Sequence, residues 1–308
     1  MGPAWMLQMI EALDLQAIGY TGAGVTVCLV DTGIDVSHPD LARANLVAWR
    51  DFINNRSTPY DDDGHGTGMA GLILANGTGF RGTAPGASLI VAKALDASGM
   101  GTSLQVGLAI RFCLDPNGDG NPGDGAAIVS LSLSAARAPI RGSDIDQAVT
   151  DALSRGVFVI AAAGNDGGPG DDGDVQSPSS IPRAISVGAV DEIRLIAPFS
   201  SAGDNRLRAD PHRKPEVVAP GERLVSDARG GGYQVLGGTS AATALTAGLL
   251  ALVLQARPSY ARTGSIAAID AFKSALMASA APAPGQATPH DDHYGYGILQ
   301  GLALVRRL

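Results

Sequence analysis

The chain has 308 residues, 45% of them hydrophobic but only 5% aromatic, with 41 glycines and a formal net charge of −8. That length can bury one large core, and an acidic balance excludes the phosphate-neutralising face that nucleic-acid binding needs. No apolar run reaches the roughly 18 residues of a membrane span; the longest, Ala247–Leu254 (AGLLALVL), suits a buried helix.

The opening MGPAWMLQMI lacks the basic and apolar regions of a secretion signal, which suits either a mature form or a chain kept in the cell. Residues 1–20 read as a lead-in to one domain spanning 1–308. A glycine cluster, TGAG (21–24), precedes the first apolar run, VTVCLVD (25–31), where a dinucleotide-binding turn would have to follow it. That cofactor class is excluded. Cys28 in this run and Cys113 in AIRFCL read as small buried hydrophobes, not as a disulfide pair.

Further continuous apolar runs follow: SLIVAKAL (88–95), AAIVSLSLS (126–134), GVFVIAAAG (156–164) and RAISVGAV (183–190). Such runs mark strands covered on both faces. Between them lie helical patterns, TSLQVGLAIRFCL (102–114) and SDIDQAVTDALSRG (143–156), the second with Ser143 as N-cap and Gly156 as its stop. The alternation predicts a parallel sheet with helices on both faces. Gly- and Asp-rich stretches at 60–64, 115–125 and 165–174 read as surface loops of that single domain.

Three polar residues stand out. Asp31 ends the first strand, so its carboxylate emerges at the carboxyl edge, where open α/β sheets place their sites. His65 sits in DGHGTGMAG (63–71) at the start of a helix whose glycines are intrinsically unfavourable, so something there needs close backbone approach. Ser240 lies in GGTSAATALTAG (237–248) at a helix N-terminus, where free amides favour developing negative charge. Singly they read as a turn carboxylate, a structural histidine and an N-cap; together they are the components of an activated serine nucleophile.

In the order Asp, His, Ser, with VTVCLVDTGIDVSHPDL, DDDGHGTGMAG, GTAPGASLIVAKAL, AAIVSLSLS, VFVIAAAGNDG, VVAPGERL, GTSAATALTAG and YGYGILQG in register, the chain resembles the subtilisin-like serine proteases, the subtilases. The resemblance implies a three-layer subtilisin-like α/β fold with a mostly parallel central sheet and helices on both faces. It implies a serine endopeptidase of broad specificity acting on extended polypeptides, with Ser240 as nucleophile, His65 as general base and acid, Asp31 as its orienter and Asn165 as oxyanion donor. It also implies peptide-clamping segments at Gly99 and Gly101 and at Ser132, Leu133 and Ser134, with Ala163, Gly164 and Gln176 around the first specificity pocket. Gln176 stands where many members carry Gly, so a shallower, polar pocket is expected, with Asp166, Asp171 and Asp172 on its rim.

The chain departs from the family pattern at Ala244 and Leu245, at Gly68 and at Ser134, none of which belongs to the triad. Partners by resemblance are polypeptide substrates and a propeptide or proteinaceous inhibitor in the cleft, with no nucleic acid and no membrane, and a monomeric, secreted mature form foremost. A catalytically silent or transamidating protein on the same fold is the rival reading.

Calcium is the expected cofactor. Asp115, Asn117 and Asp119 alternate before Gly120, like the opening of an EF-hand loop, but Ala126 stands where its bidentate Glu belongs. A compact calcium loop closed by Asp124 is expected instead, as in subtilases with a similar insertion. Asp40 matches a ligand of the family's N-terminal calcium site, yet the loop near 75–82 that should complete it is about two residues short. HDDH (290–293) reads as a solvated turn.

Overall fold

The computed structural model describes residues 4–135, 142–206 and 208–308. Its central sheet contains, in chain order, β1 (Thr26–Asp31), β2 (Asn45–Asp51), β3 (Ser88–Lys93), β4 (Ile128–Leu131), β5 (Phe158–Ala162), β6 (Ile185–Val190) and β7 (Val217–Pro220). Each predicted apolar run supplies one of these strands. The spatial order is β2-β3-β1-β4-β5-β6-β7, with every neighbouring pair parallel. From β1 the chain runs to the edge strand β2, returns through β3 between β2 and β1, then crosses to β4 on the other side. The carboxyl ends of β1 and β4 therefore flank a topological switch point.

Eight helices surround the sheet among the described residues: α1 (Ala4–Met9), α2 (Ala12–Ala17), α3 (His65–Leu74), α4 (Ser103–Leu114), α5 (Asp144–Ser154), α6 (Thr239–Ala256), α7 (Ile266–Ser279) and α8 (Gly301–Arg307). α3 packs on α6 and α4 on α5, and the two pairs cover the two faces of the sheet. The lead-in belongs to the core, because Met6, Ile10 and Leu15 are fully buried. Ser143 caps α5 by accepting the Asp146 N–H at 3.3 Å, and Gly156 follows in the left-handed region at φ 71°. Thr102 and Gln105 form a reciprocal cap at the start of α4. An antiparallel hairpin, β8 (Leu224–Asp227) and β9 (Tyr233–Leu236), lies outside the main sheet.

Two expectations are corrected. The apolar segment around AGLLALVL is not short: α6 runs 18 residues at a mean hydropathy of 1.5. Its Ala, Thr and Gly positions are nearly all enclosed by the sheet, α3, α8 and the lead-in helix α2, which is why a core helix passes the length and composition test for a membrane span. Second, Cys28 in β1 and Cys113 in α4 are joined in a disulfide, with Cα atoms 5.7 Å apart. Both are fully buried, as expected. What their sequence context could not convey is that α4 lays its last turn across β1, bringing two residues separated by 85 positions face to face. Closing so long a loop constrains the unfolded chain. Replacing Cys113 by Ser is expected to destabilise the protein by ~2–4 kcal/mol, which reversible unfolding of oxidised parent and variant would measure.

Candidate active site

Asp31 closes β1 with no exposure. Its Oδ1 accepts the Thr32 N–H at 2.7 Å and His65 Nδ1–H at 2.8 Å. His65 is the first residue of α3, and its place beside β1 depends on backbone contact: a methyl at Gly66 would lie 2.2 Å from the Gly33 carbonyl oxygen. That is the close approach which the glycine run of this helix requires. With Nδ1 committed to Asp31, the Nε2 edge of the ring turns to the cleft, and the side chain is 32% exposed. Burial of the ring would lower its pKa, but the charge and hydrogen bond of Asp31, with Asp63 and Asp61 behind, outweigh it and raise the pKa to about 8.

Asp61 and Lys93 hold this pair in place. Asp61 accepts hydrogen bonds from the Thr32 hydroxyl at 2.9 Å, the Gly64 N–H at 2.8 Å, and the Thr67 N–H and hydroxyl at 2.9 and 2.6 Å. Burial would raise its pKa, yet these bonds hold it below the usual carboxylate range. Fully buried Lys93 donates to the Thr32 and Leu95 carbonyls at 2.6 and 2.9 Å and pairs with Asp62. Neither residue was marked by sequence reasoning. The DDD run read as solvent loop, whereas a lysine closing the apolar strand SLIVAK was an available signal.

Ser240 is the second residue of α6. Its hydroxyl donates to the Ser132 carbonyl at 3.0 Å, and the Ser132 hydroxyl donates back to the Ser240 carbonyl at 3.0 Å. Among the described residues no hydrogen bond joins Ser240 Oγ to His65; in this conformation the hydroxyl is held by the neighbouring strand end. Asn165, directly after β5, has its Oδ1 fixed by two donors of Thr239, the N–H at 2.9 Å and the hydroxyl at 3.0 Å. That assignment leaves Nδ2 as a free donor. A methyl at Gly238 would be 3.5 Å from Asn165 Nδ2 and 3.7 Å from Ser240 N, so the two donors border one small space at the N-terminus of α6. Thr239, unmarked in the sequence reading, is the residue that aims Asn165.

A cleft of about 630 Å³ brings His65 together with Gly99, Gly101, Ser132, Leu133 and Ser134. Ala163, Gly164 and Gln176 lie outside it, on the Asn165 side. There the Gln176 side chain folds over Gly164, where a methyl would be 2.7 Å from Gln176 Cγ, and its Nε2 donates to Asp166 at 2.9 Å. Two of the three acids of this loop turn toward the protein, Asp166 accepting the Ser201 hydroxyl and Asp171 the Ala202 N–H, whereas exposed Asp172 accepts only the Asp174 N–H of its own loop.

Of the expected calcium ligands, Asp115, Asp119 and Asp124 each bring a carboxylate oxygen within 4.8 Å of the others. Asn117 is engaged with Asp119 through both its amide atoms. Asp40, by contrast, accepts the Phe80 N–H and the Tyr233 hydroxyl, both at 2.8 Å, so the shortened loop closes on it with protein donors. In HDDH, Asp292 and His293 are exposed as expected, but the half-buried His290 bonds the Pro215 carbonyl and packs edge-on to Tyr296, which makes it structural.

Residues 22–297 match the family model described as "Subtilase family". The chain is 37% identical to subtilisin E of Bacillus subtilis (strain 168) over 257 residues, covering 82% of this chain and 61% of that protein. It is 36% identical to subtilisin of Bacillus pumilus over 82% of this chain and 85% of that one, and 36% identical to serine protease AprX of Bacillus subtilis (strain 168) over 77% and 58%. The chain thus spans about 61% of the length of the first of these curated relatives.

The Asp31–His65 geometry has a direct spectroscopic consequence. In an NMR titration the His65 ring should lose its proton around pH 8, and Asp31→Asn should lower that midpoint, because burial remains while the largest opposing charge is gone. An unchanged midpoint in the variant would contradict the assignment.

Proposed function

The chain belongs to the subtilase family, and from that premise we propose that it is a serine endopeptidase acting on extended polypeptides through Ser240, His65 and Asp31. The observation that carries this reading is the 2.8 Å bond that fixes His65 on buried Asp31 with its other nitrogen toward the cleft. Ser240 Oγ, rotated off the Ser132 carbonyl, gives its proton to His65 Nε2 as it attacks the scissile carbonyl carbon. The oxygen that becomes negative takes hydrogen bonds from the Ser240 N–H and Asn165 Nδ2. His65 then returns the proton to the leaving amine, leaving an acyl-enzyme that water cleaves by the same relay in reverse. Asp31 keeps the imidazole in the tautomer that accepts at Nε2 and stabilises the imidazolium.

Segments 99–101 and 132–134 flank the cleft in a way that suits an extended peptide added as a strand, where main-chain bonds give affinity without sequence preference. The same groove would take a propeptide or proteinaceous inhibitor. Gln176, held over Gly164 by Asp166, supports a shallow, polar first pocket. The buried disulfide supports an oxidising, extracytoplasmic location for the mature protein, and we read the unit as a monomer.

The Ser240 hydroxyl resting on Ser132 is the one observation that favours a catalytically silent form. A fluorophosphonate probe separates the two: labelling of the parent and none of Ser240→Ala is expected, while an inert parent would establish the silent form. In the active case kcat/KM should rise with pH through about 8 as His65 loses its proton, since only the neutral imidazole accepts from Ser240. Asn165→Ala should lower kcat by about 10²–10³, a magnitude that comes from subtilisin itself.

We further propose that the 115–124 loop holds a structural calcium ion through Asp115, Asp119 and Asp124. The fit is chemical: three hard oxygen donors converge, and without a cation their charges repel. Bound there, calcium would supply a cross-link across the loop. Chelation should lower the melting temperature of the parent by more than that of Asp119→Asn; equal shifts in both would assign the effect elsewhere.

A further inference from the structure

Away from the cleft, a histidine and two aspartates from distant segments meet beside α3. His38 and Asp40 lie in the turn after β1, and Asp227 ends β8. All three are buried, with Asp227 and His38 side chains at 0% and 1% exposure, and one ligand-type atom of each lies within 4.8 Å of the others. The Asp40 N–H donates to His38 Nδ1 at 3.2 Å, so that nitrogen carries its lone pair while Nε2–H donates to the Gly232 carbonyl at 2.8 Å. Asp227 Oδ1 lies 3.7 Å from the same Nδ1, and neither oxygen of Asp227 has a hydrogen-bond partner.

Two buried electron-pair donors therefore lie side by side with no protein donor between them. Burying an ionised carboxylate without a partner is strongly unfavourable. The adjoining helix offers no relief, because the residue of α3 against Asp227 is Gly71, where a methyl would sit 2.8 Å from Oδ2. Asp40 Oδ2 is satisfied by Phe80 and Tyr233, but Asp227 and the nearby His38 Nδ1 have no positive centre between them.

We propose that His38, Asp40 and Asp227 hold a zinc-class divalent cation. An imidazole nitrogen with carboxylates suits such an ion, whereas calcium takes six to eight oxygens. Two ligands bound to tetrahedral zinc at ~2.1 Å are about 3.4 Å apart, so the 3.7 Å between His38 Nδ1 and Asp227 Oδ1 needs little adjustment. With both its oxygens uncommitted, Asp227 can bind through two and complete a four-coordinate shell. The ion would fasten the β1–β2 connection to the β8–β9 hairpin at the side of α3, the helix that carries His65.

The test is metal content by mass spectrometry in the His65→Ala background, which removes any ion bound at the cleft. After native purification and gel filtration in metal-free buffer, one zinc per chain is expected, retained in Asp119→Asn and lost in Asp227→Asn. Cells supplied with cobalt should yield protein with intense tetrahedral d–d absorption, absent in His38→Gln; this reading on the unaltered site holds even where Asp227→Asn fails to accumulate. A chain without stoichiometric zinc, one with calcium in its place, zinc that survives Asp227→Asn, or a cobalt form without those bands would overturn the proposal.

Discussion

The candidate site exists because two backbones cross where no side chain intervenes. α3 reaches the exit of β1 only if Gly66 presents bare backbone to Gly33, and Gly33 in turn fits under the Tyr60 carbonyl, 2.0 Å from where a methyl would stand. Each glycine in a helix costs about 1 kcal/mol relative to Ala, so α3 is a poor helix in isolation. It is held by what it touches: α6 along one side, β1 and β8 along others, and the Asp61 network at its first turn. Intrinsic helix stability gives way to a backbone separation that seats His65 on Asp31.

That seat must also stay fixed while charge moves through it. Asp61 ties Thr32, Gly64 and Thr67 to one carboxylate, locking the turn after β1 to the start of α3. Lys93 grips the carbonyl of Thr32 from beneath, in register with Asp31 across the β1–β3 pair. On the other side of the switch point, Thr239 does for Asn165 what Asp31 does for His65, holding one polar atom so that the remaining one is aimed. Preorganisation of this kind lets hydrogen-bond donors act on a developing charge without first reorienting.

How much of this the sequence disclosed follows from what each residue type reveals locally. Five of the strands buried on both faces were legible as apolar runs, though the short β7 was not, and Asp31, His65 and Ser240 stood out because each interrupts a small or apolar context, while Asn165 was marked by the family resemblance. β2 was not legible, since as an edge strand it alternates buried and exposed positions and includes Arg50. The β8–β9 hairpin escaped notice because each strand is only four residues long and β9 alternates exposed and half-buried positions. Asp61 looked like its two exposed-sounding neighbours in DDD; only the fold decides which of three consecutive aspartates faces inward. The disulfide was equally hidden, because a cysteine in an apolar run looks the same whether or not another lies across from it. The Ser240–Ser132 exchange of hydroxyl and carbonyl bonds is a matter of rotamers, which sequence does not encode.

Buried charge elsewhere in the molecule gives the His38 cluster its meaning. Glu216, fully enclosed, accepts from Lys214, Lys273 and the Ser186 N–H. Asp51 accepts three backbone N–H groups and the Tyr60 hydroxyl, and Asp61 and Asp40 are supplied as described. Even Asp31 leaves only one oxygen unbonded. A chain that satisfies its enclosed carboxylates this thoroughly has been shaped against unpaired negative charge in its interior, as the energetics of desolvation require. Among the buried carboxylates of the described residues, Asp227 alone has both oxygens without a hydrogen-bond partner. It stands beside the His38 imidazole, with His38 Nδ1 3.7 Å from Asp227 Oδ1, where the turn after β1 meets the β8–β9 hairpin at the side of α3. The exception is therefore local and directional, and it differs in kind from the exposed carboxylates of the 115–124 loop, whose charges water also solvates.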